Sequence, residues 1–346
     1  MNDRGTAMIR MRKLIRSLSL EGLRRRRFRA RHLLLAALLA SQSAHGVDLD
    51  AVRGDLEAGR IDQAVAVLEP IADDDPEAAF MLGRVRMLQR EWEGAGDLFE
   101  GAVDLGRDTA ETNLWLGRAR VNQAQEASIF SKMSIARTSL RAFRRAVELD
   151  PAYAEARRSL IDYLVGAPGI AGGDVDEARE HAAILEQQDP WLGVQARASI
   201  LRAEDEDADI IPMYEAAAVE MPDRFEAQFT LALLYMAAER YDDVESALIR
   251  SDTLQPGAPS VMYQYGKLAA VAGLGTERGV AALQAYMQIP HAPDDPPNAW
   301  AEYRLGSIFH REGDAAAARA AFERALVLDP DHEQASAALR QLARGR

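Results

Sequence analysis

The sequence predicts an all-α protein, an α-solenoid of about eight helix-turn-helix units closed by a C-terminal capping helix. Three observations predict it. Helix formers dominate, aromatic residues make up only 6% and β-branched runs are scarce. One 34-residue segment, AWAEYRLGSIFHREGDAAAARAAFERALVLDPDH from Ala299 to His332, reads as two amphipathic helices around a Gly-Asp break. Every other segment after about residue 47 can be laid against it at intervals near 34.

The template explains itself physically. Leu305 and Phe309 stand four apart on a first helix, and Ala318, Phe322 and Ala325 follow an i, i+4, i+7 pattern on a second. Gly306, Ala318 and Ala325 are small and let the helix axes approach, while Phe309 and Phe322 fill the space on either side. Two helices cannot bury that surface alone, so the unit requires a stacked neighbour.

Taken in order, residues 47–75 form a shortened first unit, with Gly59, Ala64, Leu68 and Pro76 at the template's spacing. Residues 76–109 form a full unit carrying Leu82-Gly83, Trp92, Phe99 and Ala102. The third, 110–153, opens on Leu116-Gly117 and contains ten extra residues before Phe143, Ala146 and Asp150-Pro151. The fourth, 154–192, holds about five extra within Ala167 to Asp174. Both insertions are expected in the turns between paired helices, where stacking would bring them to one edge as a joint lip. Units 193–224, 225–258, 259–298 and 299–332 follow, the seventh ending in a Pro/Asp loop, HAPDDPP, that forbids helix. Residues 333–346 read as the capping helix, polar on its outer side.

The template, with Leu305-Gly306, Phe309, Gly313-Asp314, Ala318, Phe322, Ala325 and Asp329-Pro330 at their spacings, resembles a tetratricopeptide (TPR) repeat. That resemblance implies a right-handed solenoid that binds a protein or peptide on its concave face. Over roughly residues 110–190, RAFRRAVELDP and YLVGAPGIAGG further resemble a family of exported bacterial TPR proteins carrying an APGIxGG insertion.

Residues 1–46 hold a long basic region, the apolar core Leu33 to Ala40 and then small and polar residues, the pattern of a cleaved export signal. The core is far short of the roughly 20 residues a membrane span needs. Ala44-His45-Gly46 offers a cleavage site ahead of Val47, which places the mature protein in the periplasm of a Gram-negative bacterium or outside it, by general secretion. Arg25-Arg26-Arg27-Phe28 also resembles a twin-arginine signal, and a basic tail on a cytoplasmic regulatory module acting on a nearby enzyme is the other reading of this segment.

With eleven basic and two acidic residues in the leader, the remainder carries 30 basic against 52 acidic side chains. A body near −22 repels nucleic acid and anionic headgroups, so neither is an expected partner, and no integral span is expected after signal cleavage. The absence of cysteine excludes disulfides, thiolate metal sites and a cysteine nucleophile. Ala167 to Asp174 is glycine-rich but lacks GxxxxGK[ST]. Asp205, Asp207 and Asp209 begin a calcium-loop spacing that Ile210 and Ala216 break. No catalytic set, metal or cofactor is therefore expected, and the chain reads as a non-enzymatic scaffold.

The candidate site is the face of the first helices. Phasing on Leu305-Gly306 aligns Phe80, Leu114, Phe229, Tyr263 and Tyr303, with Trp300 beside the last. Arg84, Arg118 and Lys267 follow four residues further along their helices. These residues either line a groove for an extended peptide and its carboxylate, or the aromatics finish the interhelix core while the cations neutralise Glu77 and Glu111.

Overall fold

A computed structural model describes residues 47–290 and 295–345. The proposed export signal, most of the Pro/Asp loop and the last residue lie outside them. The described residues are helical throughout and fall into two compact units, residues 47–210 and 211–345.

The first unit contains α1 (Leu49–Glu57), α2 (Ile61–Leu68), α3 (Pro76–Gln89), α4 (Trp92–Asp104), α5 (Ala110–Glu126), α6 (Ile129–Leu149), α7 (Ala154–Gly166), α8 (Val175–Gln188) and α9 (Pro190–Ala203). The second contains α10 (Ile210–Glu220), which begins at the division, α11 (Phe225–Ala237), α12 (Tyr241–Leu254), α13 (Pro259–Ala272), α14 (Thr276–Tyr286), α15 (Asn298–Arg311), α16 (Ala315–Leu328) and the capping helix α17 (Glu333–Ala343). Two Asp-Pro steps start helices rather than end them. Asp75 Oδ1 accepts from the amides of Glu77 and Ala78 at 2.9 Å, and Asp189 does the same for Trp191 and Leu192 at 3.0 Å, with proline at the first helical position where no N–H is needed.

Four of the helix pairs share one contact. The glycine at the repeat's Leu-Gly position, or Tyr265-Gly266 in one unit, lies under a large side chain of the second helix. A Cβ built on Gly83 would stand 2.8 Å from the Phe99 ring, on Gly117 2.4 Å from Phe143, on Gly306 2.5 Å from Phe322 and on Gly266 2.2 Å from Leu283. Phe99, Phe143, Phe322 and Leu283 are all buried. The helices therefore approach more closely than any Cβ allows, and the apolar side chains on both sides of the contact leave water.

The ten extra residues of the third unit are not a turn, contrary to expectation. Only Ala127 and Ser128 separate α5, 17 residues long, from α6, 21 residues long. Phe143 lies seven positions deeper in its helix than Phe99 or Phe322 does, and Gly117 lies three further from its helix end than Gly83. The insertion thus lengthens both arms of the hairpin. Residues 118–149 contain neither glycine nor proline, so nothing in the sequence breaks either helix there.

The fourth unit's insertion does form a loop, with a single 3₁₀ turn at Gly169–Ala171, and it packs against α6. The Tyr163 hydroxyl sits between the carbonyl oxygens of Ala136, at 2.7 Å, and Ala171, at 2.8 Å, and burial pushes its phenol up. Arg137 Nη2 donates to the Ile170 carbonyl at 3.2 Å. Gly172 takes φ +90°, and a Cβ there would stand 2.4 Å from Leu140 Cδ2. At Gly173 a Cβ would fall 1.8 Å from the Ala167 carbonyl oxygen. Glycine is required at both positions by geometry, independently of any phosphate.

Beneath this edge, the buried Arg157 of α7 donates through Nη2 to the Pro151 carbonyl at 2.7 Å and through Nη1 to His181 Nδ1 at 2.9 Å. The imidazole accepts that bond only when neutral. Burial, together with the Arg157 charge, holds its pKa below the usual value, against the opposing pull of Glu177 and Glu180. The folded state therefore binds the proton less readily than the unfolded chain. His181 contributes its stability above pH of about 6.5 and loses it as pH falls below that value. Urea unfolding at pH 7 and pH 5 is expected to show a loss of stability that shrinks in His181→Gln.

The glycine contacts predict opposite signs at two helical glycines. Gly117→Ala should lower the unfolding free energy by about 1 to 3 kcal/mol, because the new methyl overlaps the Phe143 ring. Gly101→Ala, with open space around it, should raise it by roughly 0.5 to 1 kcal/mol. Urea titration of the two variants reads both.

Candidate functional site

The first-helix residues singled out by repeat phase fall in both units and divide by burial. Phe80, Leu114, Phe229 and Tyr263 are 1%, 0%, 3% and 6% exposed, so they belong to the core and present no stripe to a ligand. Phe80 packs on Phe99 at 5.7 Å between ring centroids, Phe229 stacks on Phe225 at 5.4 Å and Tyr263 meets Tyr286 at 5.6 Å. The position two before the leucine points into the seam with the second helix, so its aromatics finish the interhelix core.

The cations are held as well. Arg84, whose side chain is 10% exposed, reaches Glu111 at 3.6 Å, and Arg118 donates to Glu155 at 2.9 Å and to Ser159 Oγ at 3.2 Å. Arg107, placed by phase where the template has proline, lies 3.6 Å over the Phe80 ring and bridges Glu77 at 2.8 Å and Glu111 at 3.2 Å. Lys267 is half-buried on α13.

Between the two arginines stands Trp115, a partly buried side chain that repeat phase does not single out. Arg84 lies 3.8 Å from its ring centroid and Arg118 5.1 Å. Guanidinium groups on an indole face gain from the ring quadrupole, most of all where water is scarce. Burial lowers the Arg84 pKa to about 10, against the opposing pull of Glu111, yet the group stays charged at neutral pH. Tyr153, at the start of α7, completes the cluster. Burial and the Glu155 charge raise its phenol to about 12, and Arg118 opposes them. The helices α3, α5 and α7 thus present Arg84, Trp115, Arg118 and Tyr153 over a lattice of carboxylates. The signal for Trp115 was its place beside Leu114 and three residues before Arg118, and its side chain packs partly buried against the core of the preceding helices.

In the second unit, Trp300 and Tyr303 are half-exposed and largely engaged in seating the capping helix. The buried His332 ring packs 4.5 Å from Trp300 and 5.3 Å from Tyr303, and its Nδ1 accepts from the Ala335 amide at 3.4 Å as the cap of α17. No group of three or more His, Asp or Glu side chains is placed to hold a metal among the described residues.

Models of the tetratricopeptide repeat match residues 49–110 and 303–332. No curated protein matches the chain by sequence. Among solved structures, yeast Tom70 is similar over 90% of this chain, with TM-score 0.59 and 14% identity, and this chain covers 66% of that one. The pilF protein of Pseudomonas aeruginosa gives TM-score 0.45 and 14% identity over 68% of this chain and 97% of its own. A tetratricopeptide repeat protein from Parabacteroides merdae gives TM-score 0.44 and 12% identity over 85% of this chain and 97% of its own.

Arg84 is expected to tolerate loss of charge but not its reversal. Arg84→Met should shift the unfolding free energy by about 1 kcal/mol or less, because an apolar side chain of similar length avoids the desolvation that the ion suffers. Arg84→Glu, facing Glu111, should lose about 3 kcal/mol or more, read by urea denaturation.

Proposed function

We propose that this tetratricopeptide-repeat protein is an exported, non-enzymatic scaffold that receives a segment of a partner protein on the first-helix face of residues 47–210. The observation that carries the reading is Trp115, partly buried and held between Arg84 and Arg118. Tryptophan, tyrosine and arginine are the side chains that most often anchor protein interfaces, and here they are held in place by carboxylates before any partner arrives. The arginines are already paired, which favours a partner that stacks on the indole and shares their remaining donors over one that depends on a bare carboxylate. Export rests on the basic leader, its short apolar core and the small residues before Val47.

One experiment in cells tests both parts. A photo-crosslinking residue at Tyr153 is expected to capture a discrete partner in the envelope fraction. Capture should fall at least fivefold in Trp115→Ser, whose thermal unfolding is compared with the parent, and the recovered protein should begin at Val47. A chain that retains residues 1–46 in the cytoplasmic fraction would overturn export in favour of a cytoplasmic regulatory module. Capture unchanged by Trp115→Ser would overturn the docking face.

A further inference from the structure

The lengthened hairpin carries a surface unlike the rest of the body. From Ala127 to Val147 the chain has five basic residues and no acidic one, within a body near −22. Arg144 and Arg145, deeper in α6, are paired with Glu177, Asp108 and Glu148. Toward the tip, Lys132, Arg137 and Arg141 form no ion pair among the described residues. Arg137 is turned to the Ile170 carbonyl and Arg141 to Thr138 Oγ1.

Large apolar side chains stand among these cations. Phe130 is 92% exposed and Ile170 71%. Phe130, Arg137 and Arg141 fall at i, i+7 and i+11, one face of α6, and the bond from Arg137 sets Ile170 beside that face. The seven additional residues at the start of α6 extend it by roughly 10 Å at the helical rise. The first turn of α6 has no acidic residue, and the Ser128 hydroxyl meets Ser131 Oγ at 3.1 Å. The Gly172-Gly173 loop, fixed by Tyr163 and Leu140, braces the extension from the adjacent unit.

We propose that this tip is a membrane-contact site, on which Phe130 and Ile170 enter the interfacial region of a bilayer while Lys132, Arg137 and Arg141 meet anionic headgroups. The chemistry is complementary on both counts: exposed apolar side chains, and cations that form no ion pair among the described residues. Among the described residues no helix is long and apolar enough to cross a membrane, so the contact is peripheral. The acidic net charge does not forbid it. Screening confines electrostatics to about 8 Å at physiological salt, so the charges at the tip, rather than those of the whole body, govern contact.

The full chain lacks cysteine, so a single cysteine can carry an environment-sensitive fluorophore such as NBD. Ser131→Cys reports on the tip, and Ser246→Cys, exposed on α12 of the other unit, serves as the control. A local probe distinguishes insertion of the tip from any binding by the basic leader. With vesicles of phosphatidylglycerol and phosphatidylcholine, emission at residue 131 is expected to shift to the blue and rise severalfold, with no change at residue 246. The response should be absent with phosphatidylcholine alone and should be reversed by high salt. Lys132→Glu with Arg141→Glu should weaken the response roughly tenfold or more. Phe130→Asp with Ile170→Asp should abolish the blue shift, with the thermal transition retained in both variants. An unchanged probe at 131 in anionic vesicles would overturn the proposal, as would a response that survives both double substitutions. Loss of partner capture in the Phe130→Asp, Ile170→Asp variant without any vesicle response would assign the tip to a protein instead.

Discussion

The close approach of paired helices over a single glycine is the constraint on which four of the helix pairs depend. Where Gly83, Gly117 and Gly306 sit under Phe99, Phe143 and Phe322, no Cβ separates the ring from the opposite backbone. The contact fixes the distance between the helices of a pair and their register along each other. It therefore decides which residues remain on the outer side of each first helix. Trp115 stays only partly buried, against the core of the preceding helices, while Leu114 is committed to the core on the following side. Gly266 receives Leu283 instead of a ring, so the same geometry tolerates a change of side chain provided that the small residue stays.

Register also explains how the hairpin can lengthen without disturbing its pair. Phe143 keeps its place over Gly117, and the extra residues add turns of helix beyond that anchor in both arms. The extension has no interhelix partner of its own in the repeat pattern. The loop of the following unit supplies support through the Tyr163 hydroxyl, the Arg137 guanidinium and the Leu140 side chain over Gly172. The result is a rigidly braced edge that carries the exposed Phe130 and Ile170, while the arginines deeper in the same helix are neutralised by neighbouring carboxylates.

The candidate docking face is electrostatically self-contained. Arg107 joins Glu77 to Glu111, Arg84 reaches Glu111, and Arg118 holds Glu155, so each carboxylate has a cation and the indole of Trp115 lies within the network. Pairing of this kind adds little to stability where the groups remain in contact with water. Its consequence is order: a side chain held in one place loses less entropy when a partner binds.

The amino-acid sequence by itself determined the helical class, the near-34-residue interval, the small residues that let helices approach and the Gly-Asp break between them, because each follows from spacing along one helix or from a local turn. Gly306, Phe322 and Asp314 were legible for that reason. Which side of each first helix stayed exposed, and whether ten inserted residues became a turn or two longer helices, was decided only by tertiary structure. Phe80, Leu114, Phe229 and Tyr263 are aligned by phase as a ligand-facing stripe would be, but packing with the second helices buries them, and Trp115 beside Leu114 stays only partly buried. The physical reason is that periodicity specifies the angle of a residue about its own helix, whereas exposure depends on which neighbouring helices cover that angle, and those contacts are distant in sequence.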